Sequence, residues 1–145
     1  QGASEASAPA ADGGRHVSPT TLRILFMDDE DELRRVGQRV LEGLGHQVEV
    51  ARDGEELLAR YREGKEREQS FDLVLMDMTV PGGMGGKEAI ARLLQLDPHA
   101  RAIASTGYAD APILAEYREY GFMGIAPKPY TPQMMQSYIF EARKT

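Results

Sequence analysis

The chain has 145 residues, of which 41% are hydrophobic and 28% are charged, and its formal net charge is −6. This length predicts a single domain with a substantial core. The acidic balance argues against direct nucleic-acid binding, no apolar run approaches the roughly 18 residues of a membrane span, and the absence of cysteine excludes disulfides and thiolate metal sites.

The first 20 residues have the composition of a linker. They are small and polar, include several Gly and Pro residues, and show no periodic apolar pattern. We therefore expect a flexible linker over residues 1–20 and a folded domain over residues 21–145, with an expression remnant as the alternative origin of the first segment. The lack of a signal-peptide pattern and of cysteine suits a cytoplasmic location.

Strand and helix patterns alternate through the first half of the folded region. Residues 22–27 form an apolar run that predicts a buried strand, and residues 30–44 place apolar side chains at helical spacing. A second strand follows around residues 48–50, and a short second helix begins near Asp53. The run "FDLVLMDM" then predicts a third strand, buried on both faces, that ends at Asp77. On the first helix we expect these residues to face the core: Leu33, Val36, Val40, Leu41 and Leu44.

The same alternation continues through the second half. A third helix follows the glycine-rich loop "VPGGMGG" and stops near Pro98. "RAIAST" predicts a fourth strand and "MGIAP" a short fifth strand, each followed by a helix. On the fifth helix we expect Met134, Met135 and Tyr138 to face the core. Part of this stripe, together with Tyr117 and Tyr120 of the fourth helix, offers a surface for a partner.

Five strand–helix units predict an α/β fold. Strict alternation gives right-handed crossovers, so the strands form a parallel sheet that is doubly wound, with helices on both faces. A (βα)5 chain of this length suits the flavodoxin-like strand order 2-1-3-4-5. Pro127 supports this order, because proline is tolerated in a sheet at an edge and the fifth strand is then an edge strand.

Acidic, hydroxyl and basic side chains follow four of the predicted strands. The first strand runs into Asp28 and Asp29, the third ends at Asp77, the fourth at Thr106, and Lys128 follows the fifth. In an open parallel sheet, ligands bind beyond the carboxyl ends of the strands, next to the point where the strand order reverses. We therefore expect these five side chains to meet at one edge.

Three carboxylates at one edge require a compensating charge. Two unit charges 4 Å apart repel by about 4 kcal/mol at an effective dielectric constant near 20, and one lysine cannot offset three acids. A hard divalent cation with oxygen ligands suits the site, which predicts Mg²⁺ and phosphoryl transfer. Asp77 is then the nucleophile that becomes an aspartyl phosphate, while Lys128 and Thr106 contact phosphoryl oxygens.

Four motifs, each at the end of a predicted strand, resemble those of a known family. "MDDE", "LVLMDMTVP", "STG" and "PKPY" occur in this order, and together they resemble the receiver domain of two-component response regulators. The resemblance covers residues 22–143. It implies that Asp77 accepts a phosphoryl group from a histidine kinase or a phosphotransfer domain. It also implies that Thr106, rather than Ser105, is the switch hydroxyl and that Lys128 precedes a cis proline.

The resemblance further implies a metal-binding set. Asp29 would be the direct Mg²⁺ ligand next to Asp77, Asp28 would act mainly through water, and the backbone carbonyl of Thr79 would complete the shell. Phosphorylation would switch the surface of the fourth helix, fifth strand and fifth helix, where a weak homodimer can form. Such a domain catalyses only its own phosphorylation and dephosphorylation. The motifs are most similar to the carboxy-terminal receiver of a hybrid sensor kinase, with a stand-alone regulator as the next choice and no membrane contact by this domain.

Some residues leave alternatives open. Receivers often carry an aromatic residue three positions before the lysine, where this chain has Ile125, so a degenerate receiver that only binds partners is one alternative. Tyr108 or Tyr130 is a possible substitute for that aromatic residue. An aspartate-nucleophile phosphatase is the less favoured alternative, because Asp29 and Asp31 have its spacing but the chain has no cap-sized insertion. Asp29 taken alone is also compatible with a helix N-cap.

Overall fold

The computed structural model describes residues 21–107 and 111–143, with only the backbone of residues 111–114. The predicted linker, residues 1–20, lies outside the described residues. Within the described part of the chain, five strands alternate with five helices. The strands are β1 (Arg23–Met27), β2 (Gln47–Ala51), β3 (Leu73–Asp77), β4 (Ala102–Thr106) and β5 (Gly124–Pro127). The helices are α1 (Asp31–Gly43), α2 (Gly54–Glu66), α3 (Gly86–Leu96), α4 (Ala111–Tyr120) and α5 (Pro132–Arg143).

The strands form one parallel sheet in the order β2-β1-β3-β4-β5, which confirms the predicted topology. β5 is an edge strand and ends at Pro127, as the proline indicated. In the register of the central strands, Met27 pairs with Met76 and Asp77 pairs with Ser105. The carboxyl ends of β1, β3 and β4 therefore lie side by side.

Helices cover both faces of the sheet, and each face has its own apolar core. One core packs residues of α2 and α3 against alternate residues of β1, β3 and β4, and the partly buried Tyr117 and Tyr120 of α4 pack on it. The other core joins α1 and α5 to the opposite face through Leu41, Met135 and Ile139. β3 is buried along its whole length because it lies between both layers. Asp77 is thus the last residue of the most enclosed strand.

The prediction that a side chain faces the core is wrong for two residues, one on α1 and one on α5. The side chain of Val36 is 44% exposed and that of Met134 is 39% exposed. α1 instead turns Gly37 to the sheet, where a Cβ atom would lie 2.4 Å from the ring of Phe26. Adjacent helical residues point about 100° apart, and with Gly37 against Phe26 the side chain of Val36 is turned toward solvent. On α5, Met135 is fully buried in place of its neighbour.

The glycine-rich loop between β3 and α3 is held in place by backbone contacts. The N–H of Gly83 donates to the carbonyl of Val80 over 3.1 Å, and the N–H of Gly54 donates to the carbonyl of Met84 over 2.8 Å. A Cβ atom at Gly54 would lie 2.7 Å from the side chain of Met84, so glycine permits this close approach at the start of α2. The loop therefore fixes the path of the chain directly after Asp77.

Candidate functional site

Three carboxylates meet where β1 and β3 end. Asp28 follows β1 and is 1% exposed, Asp77 ends β3 and is 4% exposed, and Asp29 is half-buried. One carboxylate oxygen from each of the three lies within 4.8 Å of the others. The backbone N–H of Glu30 donates to Oδ1 of Asp28 over 2.9 Å, which fixes one of these carboxylates. The structure thus brings together the three acids that the sequence singled out.

Lys128 completes the cluster from the other side of β3. Its Nζ atom lies 3.2 Å from Oδ2 of Asp28 and 3.3 Å from Oδ1 of Asp77. Its backbone N–H donates to the carbonyl of Thr106 over 2.8 Å, which ties the start of the β5–α5 connection to the end of β4. The bond from Lys128 to Pro129 is cis, as predicted. One ammonium group therefore faces two nearly fully buried carboxylates.

The pKa values of the cluster show an excess of negative charge. Burial, a hydrogen bond with Asp29 and the charge of Asp28 raise the pKa of Asp77 to about 7, although Lys128 acts in the opposite direction. Burial by itself would lower the pKa of Lys128, but the carboxylates of Asp77 and Asp28 outweigh it and raise the pKa. The lysine is therefore firmly cationic, yet it does not stabilise all three ionised acids.

The donor set fits a magnesium ion. Oδ2 of Asp28 is buried and accepts no well-aligned hydrogen bond from the described residues, although the Lys128 ammonium lies close to it. Buried polar atoms normally have partners, so this oxygen has a spare coordination position. Together with Asp29 and Asp77 it offers hard oxygen ligands in a cluster small enough for one cation. The cation would also supply the positive charge that the raised pKa of Asp77 indicates is lacking.

Thr79 and Thr106 lie at the same edge, and their roles stay predictions. The backbone N–H of Thr79 donates to Oδ1 of Asp77 over 3.4 Å, so this residue adjoins the carboxylate of Asp77. Thr106 is the last residue of β4 and is 2% exposed. Because successive strand residues point to opposite faces, Thr106 and Ser105 project to different sides of the sheet.

The position of Tyr130 shows whether it can replace the aromatic residue that receivers often have where this chain has Ile125. Ile125 is partly buried against the core on the α2–α3 side, which also contains Ala104 of β4. Tyr130 packs against the core on the α1–α5 side, and its hydroxyl is hydrogen-bonded to that of Ser105. Tyr130 is therefore on the wrong face to replace the ring that Ile125 lacks. Tyr108, the other substitute, lies outside the described residues.

One residue that the sequence did not indicate is Arg34, which contacts the chain at the end of β1. Its Nη1 atom donates to the backbone carbonyl of Asp28 over 2.9 Å, and its other amino group is paired with the carboxylate of Asp31. The signal was an arginine one turn into α1, because long side chains on a helix point back toward its N-terminus. The N-cap of α1 is Glu30, so the alternative interpretation of Asp29 as the cap is wrong.

A parallel sheet of this order, with three carboxylates and a lysine at the carboxyl edge, is the architecture of a flavodoxin-like receiver. Comparison with known proteins agrees. The sequence profile of the response regulator receiver domain matches residues 24–140, and the chain belongs to this family. Receiver domains of two-component systems take phosphoryl groups from histidine kinases or phosphotransfer proteins and generally bind Mg²⁺.

The match with this chain spans nearly all of one relative and only a small part of two others. The chain is 29% identical over 123 residues to the chemotaxis protein CheY of Thermotoga maritima, a match that spans 84% of this chain and 98% of CheY. It is 32% identical to the transcription factor SKN7 of Chaetomium thermophilum, over 81% of this chain but 15% of SKN7. It is 35% identical to the sensor histidine kinase AruS of Pseudomonas aeruginosa, over 87% of this chain and 12% of AruS.

The fold is shared with solved structures as well. A response regulator receiver domain protein from Clostridium thermocellum superposes with a TM-score of 0.72 at 29% identity, covering 84% of this chain and 95% of the other. Among the helices of residues 21–107 and 111–143, none has the length and apolar character required to cross a membrane.

Proposed function

We propose that this domain accepts a phosphoryl group on Asp77 in a magnesium-dependent reaction and so acts as a switch in two-component signalling. The observation that carries the proposal is the cluster itself: the carboxylates of Asp28, Asp29 and Asp77 converge within 4.8 Å at the end of the sheet. Lys128 contacts two of these acids from the other side. An ordinary strand end has no need of this arrangement, which is costly without a cation.

The chemistry follows from the placement of Asp77. A carboxylate oxygen of this residue attacks the phosphorus of the donor, the bond from phosphorus to the donor nitrogen or oxygen breaks, and an aspartyl phosphate forms. Bound Mg²⁺ would offset the charge that develops on the phosphoryl oxygens. The groups that would hold it are the carboxylates of Asp29 and Asp77 and the backbone carbonyl of Thr79, with Asp28 acting mainly through water.

Lys128 and Thr106 stabilise the transferred group. The Lys128 ammonium is already 3.3 Å from Oδ1 of Asp77, so it can contact a phosphoryl oxygen attached there with a small movement of its side chain. The Thr106 hydroxyl, at the end of the neighbouring strand, donates to another phosphoryl oxygen. Both act through charge and hydrogen bonding that are in place before the reaction, which is the main source of catalysis in phosphoryl transfer.

The signal reaches the surface formed by α4, β5 and α5. A phosphoryl group adds a charge of about −1.5 to −2 and three acceptor oxygens, which draw Thr106 and Lys128 toward Asp77. Lys128 follows β5 directly, so its movement is passed to that strand. Ile125 packs on the α2–α3 side of the same strand and would respond by repacking rather than by an aromatic ring flip. Phe140 on α5 is 63% exposed, so that helix offers an apolar side chain to a partner or a weak homodimer.

The proposed phosphoryl donor is a phosphohistidine on a kinase or a phosphotransfer domain. The identity with part of the sensor histidine kinase AruS supports a receiver that belongs to a hybrid sensor kinase. The identity with nearly the whole of CheY supports a stand-alone regulator instead. Transfer of labelled phosphate from candidate phosphorylated kinases to this domain tests the proposed donor.

The phosphatase alternative is not favoured by the geometry. The second acid of its motif, Asp31, is 71% exposed at the side chain and paired with Arg34. The motif therefore contributes Asp29 alone to the cluster. Turnover of a generic phosphate monoester such as p-nitrophenyl phosphate would reverse this conclusion.

The decisive experiment is incubation with acetyl phosphate and Mg²⁺, followed by intact-mass and peptide mass spectrometry. We expect one added phosphoryl group, located on Asp77 and absent in Asp77→Asn. Asp72→Asn is the matched control, because this exposed acid precedes the other end of the same strand. A wild-type chain that gains no mass, or an Asp77→Asn variant that still does, would refute the proposal. Failure of the wild type to bind Mg²⁺ would favour the degenerate receiver.

A further inference from the structure

A pair of hydroxyl groups lies beneath the site without a place in the chemistry described above. Ser105 of β4 is fully buried, and its Oγ atom is hydrogen-bonded to the hydroxyl of Tyr130. Burying two hydroxyls is costly unless they pair, whereas alanine and phenylalanine would pack there with no polar group to satisfy. Burial raises the pKa of Tyr130 to about 12, so the phenol keeps its proton and remains available as a hydrogen-bond donor.

The two hydroxyls join the two parts of the chain that carry the reacting groups. Ser105 is the register partner of Asp77 in the adjacent strand. Tyr130 follows Lys128 by two residues, and its phenol lies close enough to Lys128, Asp28 and Asp77 to be influenced by their charges. The hydrogen bond therefore links the strand beside the acceptor to the connection that holds the lysine.

A second contact joins the same two segments through the backbone of Lys128. The N–H of Lys128 donates to the carbonyl of Thr106 over 2.8 Å. Two adjacent residues of β4, Ser105 and Thr106, thus hold residues 130 and 128 respectively. A lysine side chain is long and flexible, so its ammonium is placed well only when its backbone is fixed.

We propose that Ser105 and Tyr130 form a clamp that positions Lys128 for phosphoryl transfer to Asp77. They are positioning residues, since neither need touch the phosphoryl group. The proposal rests on the phosphoacceptor function of Asp77. It predicts that loss of either hydroxyl slows the reaction while leaving the metal ligands of the acidic cluster in place.

The test compares Tyr130→Phe, Ser105→Ala and the double variant with Tyr138→Phe as the matched control. Tyr138 is on α5, is half-buried, and has no hydrogen-bond partner for its hydroxyl among residues 21–107 and 111–143. The readouts are the rate of phosphorylation by saturating acetyl phosphate at saturating Mg²⁺, the Mg²⁺ affinity and the urea unfolding midpoint. Tyr130→Phe keeps the ring, so its fold is expected to survive.

We expect each clamp variant to lower the maximal rate by about threefold to tenfold, the effect of one hydrogen bond that holds a catalytic group. The double variant should be no slower than the slower single variant, because both changes remove the same bond. Magnesium affinity should change by less than about twofold, and the control should match the wild type. If the hydrogen bond were purely structural, its loss would lower the unfolding midpoint and leave the phosphorylation rate unchanged.

The results separate this inference from the function on which it rests. Wild-type rates in both single variants, or rate losses that multiply in the double variant, would overturn the clamp. A wild-type chain that is not phosphorylated would instead overturn the role of Asp77. Rates that fall together with magnesium affinity would also overturn the clamp, since the acidic cluster would then have moved.

Discussion

Replacing Asp77 with asparagine should stabilise the metal-free domain, because it removes an acid that is costly to ionise. Burial, Asp29 and Asp28 raise the pKa of Asp77 from 3.8 to about 7. The difference between these values sets an upper limit of about 4 kcal/mol on the cost of ionising it in the folded state. Water at the open edge of the sheet screens the charges, so we expect a gain of about 1–2 kcal/mol.

The sign of the pH dependence is fixed by the direction of this shift. An acid whose pKa is raised by folding costs no stability below its unfolded pKa of 3.8, and the cost grows until the pH passes its folded pKa of about 7. The advantage of Asp77→Asn should therefore be small in acid and reach its full size near pH 8. For a domain of this size it corresponds to a rise in Tm of about 5 °C.

The assay is thermal unfolding followed by circular dichroism in EDTA, across this pH range. Glu63→Gln is the control, because it neutralises an exposed acid near the end of α2, whereas the start of that helix is the end that contacts the loop after Asp77. Added Mg²⁺ should raise the Tm of the wild type more than that of Asp77→Asn, which reduces the difference. An Asp77→Asn variant with an unchanged or lower Tm in EDTA would show that the acids do not repel, and the reasoning would fail.

Three further changes test other contacts. Lys128→Ala leaves two buried carboxylates without their counter-ion, so in EDTA it should lower the free energy of unfolding by about 2 kcal/mol. With Mg²⁺ present, the same variant should be phosphorylated by acetyl phosphate at least tenfold more slowly. Wild-type values in both measurements would contradict the role of the ion pairs. His46 accepts a hydrogen bond from the N–H of Leu22 over 3.1 Å, and burial and a nearby arginine lower its pKa. Its stabilising effect should be complete above the unfolded pKa of 6.5 and be lost as the pH falls from there through the lower folded pKa. His46→Asn should therefore make the urea midpoint depend less on pH in that window, and an unchanged slope would exclude this histidine as the cause. Tyr61→Phe removes a 2.7 Å hydrogen bond to Asp97 and should cost about 1 kcal/mol in urea unfolding, whereas no loss would show that the bond is not stabilising.

The order of elements and the main site residues followed from the sequence because they depend on local pattern. Alternating strand and helix signals leave few topologies, and the parallel sheet then places every strand's carboxyl end at one edge. Asp28, Asp77 and Lys128 could be grouped in this way although they are far apart along the chain. Even the edge position of β5 could be inferred, since Pro127 lacks the N–H that an inner strand needs.

The rotation of the helices about their own axes was not fixed by the sequence pattern. Helical spacing placed both Val36 and Val40 toward the core, but the ring of Phe26 packs against position 37 and turns Val36 to solvent. Similarly, both Met134 and Met135 fit an apolar stripe, and the fit of α5 to the sheet buries only the second. A broad apolar stripe permits several rotations, and close packing selects one.

The sequence by itself determined which kinds of groups meet at the edge of the sheet, because strand order and residue order suffice to place them there. Only the tertiary structure decided how they contact each other: that Lys128 bridges Asp28 and Asp77, that Arg34 braces the carbonyl of Asp28, and that Ser105 pairs with Tyr130. These contacts join residues distant in the chain at hydrogen-bonding range. Hydrogen bonds require a narrow range of distance and angle, and ion pairs require close approach, so these contacts depend on the packing of both layers rather than on any local pattern.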